Sequence, residues 1–139
     1  MEKSLDKEAV VITWANHYRM LSEKKEFGAF IYSMKEDGLT KYYSGRTFSG
    51  SGKNRLFQPN VIIPFVYFYF VESFIEWFKR RAKVAGFIHT HPKPDEGFTY
   101  RHFSSVDLKL LRLARITSIC VVPFENSEIN CISLPIRQQ

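Results

Sequence analysis

Residues 84–115 read VAGFIHTHPKPDEGFTYRHFSSVDLKLLRLAR, and this stretch decides the fold. Its first part, 84–90, is a short run of β-forming residues and predicts a strand. Pro92 ends strand pairing. Residues 91–103 are rich in Pro and polar groups and predict a loop. Residues 104–115 predict a helix, with Leu108, Leu111 and Ala114 or Arg115 in register. Upstream, 61–83 begins as VIIPFVYFYF, which suits a strand or a buried helix. It ends as a helix in which Phe70, Phe74, Trp77 and Phe78 share one face and Glu72, Glu76, Lys79, Arg80 and Lys83 lie elsewhere. Downstream, 116–123 and 128–134 predict a hairpin over Glu125, Asn126 and Ser127. Nearer the N-terminus, 4–24 predicts an amphipathic helix capped by Ser4, with Val11, Trp14, Ala15, Tyr18 and Leu21 as its stripe. Residues 26–34 predict a strand that turns at Glu36, Asp37 and Gly38 and returns through 40–43. Residues 45–60, GRTFSGSGKNRLFQPN, predict a long mobile surface loop flanking the site. The order is α-β-β-α-β-α-β-β, a mixed α/β (α+β) domain with sandwich-like or three-layer packing.

The chain has 139 residues, enough for one domain over 1–139 and too few for a TIM barrel. Hydrophobic residues make up 45% and charged residues 24%, which excludes a disordered chain. With 13 Phe and 7 Tyr, the core should be aromatic. The net charge of +6 is scattered, apart from Lys24-Lys25 and Lys79-Arg80-Arg81, so a nucleic-acid partner is not expected. Cys120 and Cys131 lie in apolar, strand-like stretches and read as reduced core residues. The N-terminal MEKSLDKEAVV has no signal core, and the apolar run from Val61 to Val71 is too short to span a bilayer. A soluble cytoplasmic protein with no membrane partner is expected, with delivery to another cell left open.

Chemistry concentrates in three histidines, His89, His91 and His102. His89 and His91, at i and i+2 of a strand, share a face and stand close enough to chelate one metal. Ser104 and Asp107 form an S-x-x-D pair. Taken alone, this is a capping box opening a helix. A carboxylate in that first turn also points back toward the loop that starts at the histidines, so Asp107 can complete a His₂-Asp set with an open fourth position. Glu26, at the start of a strand, is the candidate proton acceptor. His17 reads as an ordinary helix-surface residue.

Glu26, then His89-Thr90-His91-Pro92, then Ser104 and Asp107 resemble the pattern of the JAB/MPN domain metallopeptidases, the JAMM family. The order of elements agrees, and the resemblance runs from about residue 4 to 135. The stretch EFGAFIYSMKEDGLTKYYSG is most similar to a small bacterial subgroup that begins E-[YF]-G-G-x-I-Y and also occurs as modules of polymorphic toxin systems. The resemblance implies a JAB/MPN-like, cytidine-deaminase-like mixed sheet flanked by helices. It implies Zn²⁺ held by His89, His91 and Asp107. Glu26 would be general base on the attacking water and then general acid, and Ser104 would donate to the oxyanion. The activity implied is hydrolysis of an amide or isopeptide bond in a peptide or ubiquitin-like protein.

There are two departures. Residues 93–103 are longer than in the well-known members and bring Asp95, Glu96 and His102 as alternative ligands. Ala29 replaces the usual second Gly. Three competing readings follow from other features. A non-catalytic MPN-like binding or toxin-associated module would keep the fold without turnover. A nucleic-acid binder would use the charge and the loop bearing Lys53 and Arg55. A cupin-like site also uses H-x-H, but the helices at 4–24 and 71–83 oppose an all-β barrel.

Overall fold

The computed structural model describes residues 2–22, 26–49, 67–91, 118–123 and 128–133, with His91 described through its backbone. Helix α1 spans Lys7–Tyr18 and is followed by a 3₁₀ turn at Met20–Ser22. The strands are β1 (Phe27–Glu36), β2 (Leu39–Ser44), β3 (Phe48–Ser49), β4 (Lys83–His91), β5 (Ser118–Pro123) and β6 (Asn130–Ser133). Between β3 and β4, a wide π turn at Phe68–Glu72 runs into helix α2, Ser73–Arg80. These strands form one mixed sheet in the order β2-β1-β4-β5-β6, with β3 also paired to β1. Only β4 and β5 pair in parallel; the other neighbours are antiparallel. A mixed α/β domain with a helix-flanked sheet is therefore what the chain forms.

The β1–β2 hairpin turns on Asp37 and Gly38, whose φ angles are 56° and 78°. Two successive positive φ values match the right-handed twist of the strands, which explains the D-G pair. β3 takes the same edge of β1 that β2 leaves, because Gly28 pairs with Phe48 on one side and His89 on the other. The predicted loop thus contains a strand at its start, and residues 50–60 lie outside the described residues.

α1 covers one face of the sheet. Val10, Val11, Trp14 and Ala15 pack on Ala29, Ile31, Ile88, Cys120 and Val122. The cap is Asp6, which accepts from the Glu8 amide at 3.0 Å. Ser4 instead makes a β-bridge with Tyr42 and accepts from the Asp6 amide. Leu21, placed on the stripe by period, is exposed, because the helix ends at Tyr18 and the 3₁₀ turn changes the period. The other face is aromatic: Phe30, Tyr32, Tyr43, Phe48 and Phe87 form its core, with Phe68 and Tyr69 packed over them. Phe48 and Phe68 stack at 4.8 Å, and Phe30 meets Phe87 at 5.1 Å.

One irregularity joins the two faces. The β1–β4 register shifts after Ile31↔Gly86, so Ala85 bulges. Its carbonyl accepts from Lys7 Nζ at 2.8 Å, and Lys7 also donates to Ser118 Oγ at 2.9 Å. Burial lowers the Lys7 pKa.

The cysteines correct an expectation. Cys120 and Cys131 are register partners across β5 and β6, and they form a disulfide. Their separation in sequence hid the pairing; strand register alone brings the two β-carbons face to face. The predicted helix at 104–115 and the turn at 124–127 lie outside the described residues.

Candidate active site

The site is built from the ends of β1 and β4. β1 begins and β4 ends at the same end of the sheet, where the Phe27 amide donates to Thr90 Oγ1 at 3.0 Å. Thr90 is fully buried, so this bond lies in a low dielectric and holds the register firmly. The register sets Gly28 opposite His89. Glu26 immediately precedes β1 and His91 closes β4, so both stand at this end of the sheet, beyond the last β1–β4 pair.

Side-chain alternation assigns the faces. Ile88 and Thr90 point toward α1, while Phe87 and His89 take the aromatic face. The same alternation, read back from Phe30 and Gly28, gives Glu26 the aromatic face. Glu26 is 7% exposed and His89 3% exposed. A carboxyl and an imidazole, both buried at one end of a sheet, are costly unless each is satisfied, and such groups concentrate at functional sites.

Packing orients the imidazole. The Phe87 ring lies nearly parallel to that of His89, centroids 5.3 Å apart with 20° between planes. Gly28 leaves room for this arrangement. A Cβ there would stand 3.1 Å from both Phe48 and Phe87. Gly28 and Phe87 are therefore supporting residues that a motif scan passes over. Their signal in the sequence was the glycine after Glu26 and an aromatic two residues before His89.

Of the expected site residues, the structure buries Glu26 and His89 at one end of the sheet and places His91 at the last position of β4, in register with Pro123 of β5. Ser104 and Asp107 lie outside the described residues, as do Asp95, Glu96, His102, Lys53 and Arg55. Among the described residues no group of three or more His, Cys, Asp or Glu could hold a metal ion. His17 is exposed on α1, its ring edge-on to Tyr18 at 4.6 Å.

A second polar array lies farther along the aromatic face. Tyr32 donates its hydroxyl to Glu72 Oε1 at 2.7 Å, and Tyr43 donates to Glu76 Oε1 at 2.6 Å. Glu72 Oε2 also accepts from the Arg46 amide at 2.7 Å, and Arg80 donates to Glu76 at 2.9 Å. Burial pushes Tyr32, Tyr43 and Glu72 upward in pKa. These groups join α2 to the sheet, and the sequence showed them only as the polar side of a helix.

The chain matches no family model, and no curated protein is significantly similar to it. Among the described residues no helix is long and apolar enough to cross a membrane.

Proposed function

We propose that this chain is a JAMM-like zinc hydrolase of amide or isopeptide bonds, built on a JAB/MPN-like fold. The observation that carries the reading is the β1–β4 register, which puts buried Glu26 and buried His89 on one face at one end of the sheet. His91 follows at the end of β4.

The donor set suits zinc: two imidazoles and one carboxylate, leaving a fourth position open. His89, His91 and Asp107 would hold the ion. A bound Zn²⁺ supplies Lewis acidity and lowers the pKa of water. Glu26 takes the proton of the attacking water and delivers it to the leaving amine. Ser104 donates a hydrogen bond to the oxyanion that develops on the carbonyl. The Phe87 ring and the strand backbone keep the His89 imidazole from turning.

Elemental mass spectrometry on the purified protein, beside His89→Ala and Asp107→Ala, tests the metal. About one zinc per chain, lost in both variants, is expected. Zinc lost only in the histidine variant transfers the third position to Asp95 or His102. No zinc in any sample after reconstitution overturns the reading and leaves S-x-x-D as a helix cap. Glu26→Gln should retain zinc and lower amide turnover about 10²- to 10⁴-fold. Bound zinc without turnover on any amide substrate would make the protein a binding module.

A further inference from the structure

The π turn and helix α2 together are turned inside out. Their acidic residues, Glu72 and Glu76, point into the sheet and bond the buried tyrosines. Their aromatic residues point outward: Phe70, Phe74 and Phe78 are 65%, 63% and 67% exposed, and Trp77 is 45% exposed. Phe74 and Phe78 stack on each other at 6.4 Å. Monomeric soluble proteins rarely expose a contiguous apolar patch of this kind.

Among the described residues, the exposed charges at the end of α2 are cations, Lys79 and Arg81. The Arg81 guanidinium lies over the Trp77 ring, 4.2 Å from its centroid. Glu72 and Glu76 face the other way, onto the tyrosines. An aromatic face with cations at one end, on a chain of net charge +6, complements a surface that is apolar beneath and negative on top.

We propose that the outer face of the π turn and α2 docks onto an anionic lipid surface, with Phe70, Phe74 and Phe78 entering the headgroup–acyl boundary and Lys79 and Arg81 on lipid phosphates. A second copy of the chain fits the face less well. In an antiparallel pairing, the cations of one copy would meet the π-turn end of the other, where Tyr67 and Phe70 are exposed and Glu72 and Glu76 are turned onto the tyrosines of the sheet. The expectation of no membrane partner rested on span length, and an interfacial helix does not need to span. The proposal is independent of the zinc site.

Sedimentation of the full chain with vesicles of phosphatidylcholine, with and without phosphatidylglycerol, tests it. The protein should pellet with the phosphatidylglycerol vesicles. Phe74→Ser with Phe78→Ser, both at exposed positions, should weaken binding by about tenfold or more. Lys79→Gln should weaken it about fivefold, and added salt should weaken it further. Trp77 emission should shift to the blue on the vesicles and be quenched by bromine-labelled lipid, while buried Trp14 stays silent. Absence of binding at low ionic strength overturns the proposal. So does equal binding by the double phenylalanine variant, or absence of quenching. A doubled mass by light scattering that the double variant abolishes, without vesicle binding, reassigns the face to a second copy.

Discussion

Glu72 is the residue whose surroundings pull hardest in two directions. Burial lifts its carboxyl above the ordinary glutamate value, and the Tyr32 hydroxyl and Arg46 amide offset only part of that. The folded protein therefore keeps this proton to higher pH than the unfolded chain. Between the ordinary value of 4.5 and the raised folded value, the folded state binds more protons, so stability falls as pH rises. Above that window the loss is complete. Glu72→Gln should flatten the stability–pH curve there, as read from urea midpoints; an unchanged slope would refute the assignment. Glu36 works the opposite way. Its hydrogen bonds to Lys3 and Lys41, at 2.8 Å and 3.0 Å, hold its pKa down. Its contribution is present above the ordinary carboxylate range and is lost as pH falls through the depressed value. Gly28→Ala tests packing at the site. The new methyl must move two aromatic rings and should cost about 1–3 kcal/mol in thermal or chemical unfolding. Because one of those rings orients His89, zinc affinity should fall with it. Full stability with unchanged zinc binding would show that the rings yield freely.

At the scale of elements, the β5–β6 pair depends on a covalent tie. Cys120 and Cys131 are 11 residues apart, and closing that loop should stabilise the fold by about 3 kcal/mol on a chain-entropy account. Cys131→Ser and reductant should lower the unfolding midpoint by similar amounts, and the native protein should present no thiols to Ellman-type reagents. Free thiols in the native protein would show the strands paired without the bond. The hairpin at Asp37 and Gly38 was legible because D-G at a two-residue turn meets a specific demand for positive φ. α1 was legible in its buried stripe and misread at its ends. Period finds the face of a helix, but Asp6 and Ser4 are both acceptable caps, and only the Tyr42 bridge removes Ser4. The direction in which α2 faces was not legible. An amphipathic pattern separates two faces without saying which one meets the sheet, and here tyrosine hydroxyls on β1 and β2 donate to the acidic face.

At the scale of the molecule, β1 and β4 are each paired along both edges, while β6 is paired along one. Amide exchange should accordingly be slowest over 29–31 and 87–90 and faster over 130–133. Slower exchange in β6 than in β4 would contradict the strand order. The same order explains how much of the candidate site could be read from the sequence. The histidines announce themselves by spacing along one strand. Glu26 lies far from them in sequence and gains meaning only once β1 and β4 are neighbours with Gly28 opposite His89.

The sequence by itself determined the mixture of helices and strands, the aromatic character of the core, the hairpin turn and the identity of the residues able to carry chemistry. These are local properties, set by period, turn geometry and side-chain type within a few residues. Tertiary structure decided the strand order, the Cys120–Cys131 bond, the outward turn of α2 and the burial of Glu26 and His89 at one end of the sheet. Each depends on register or packing between segments distant in the chain, and no local preference encodes that pairing.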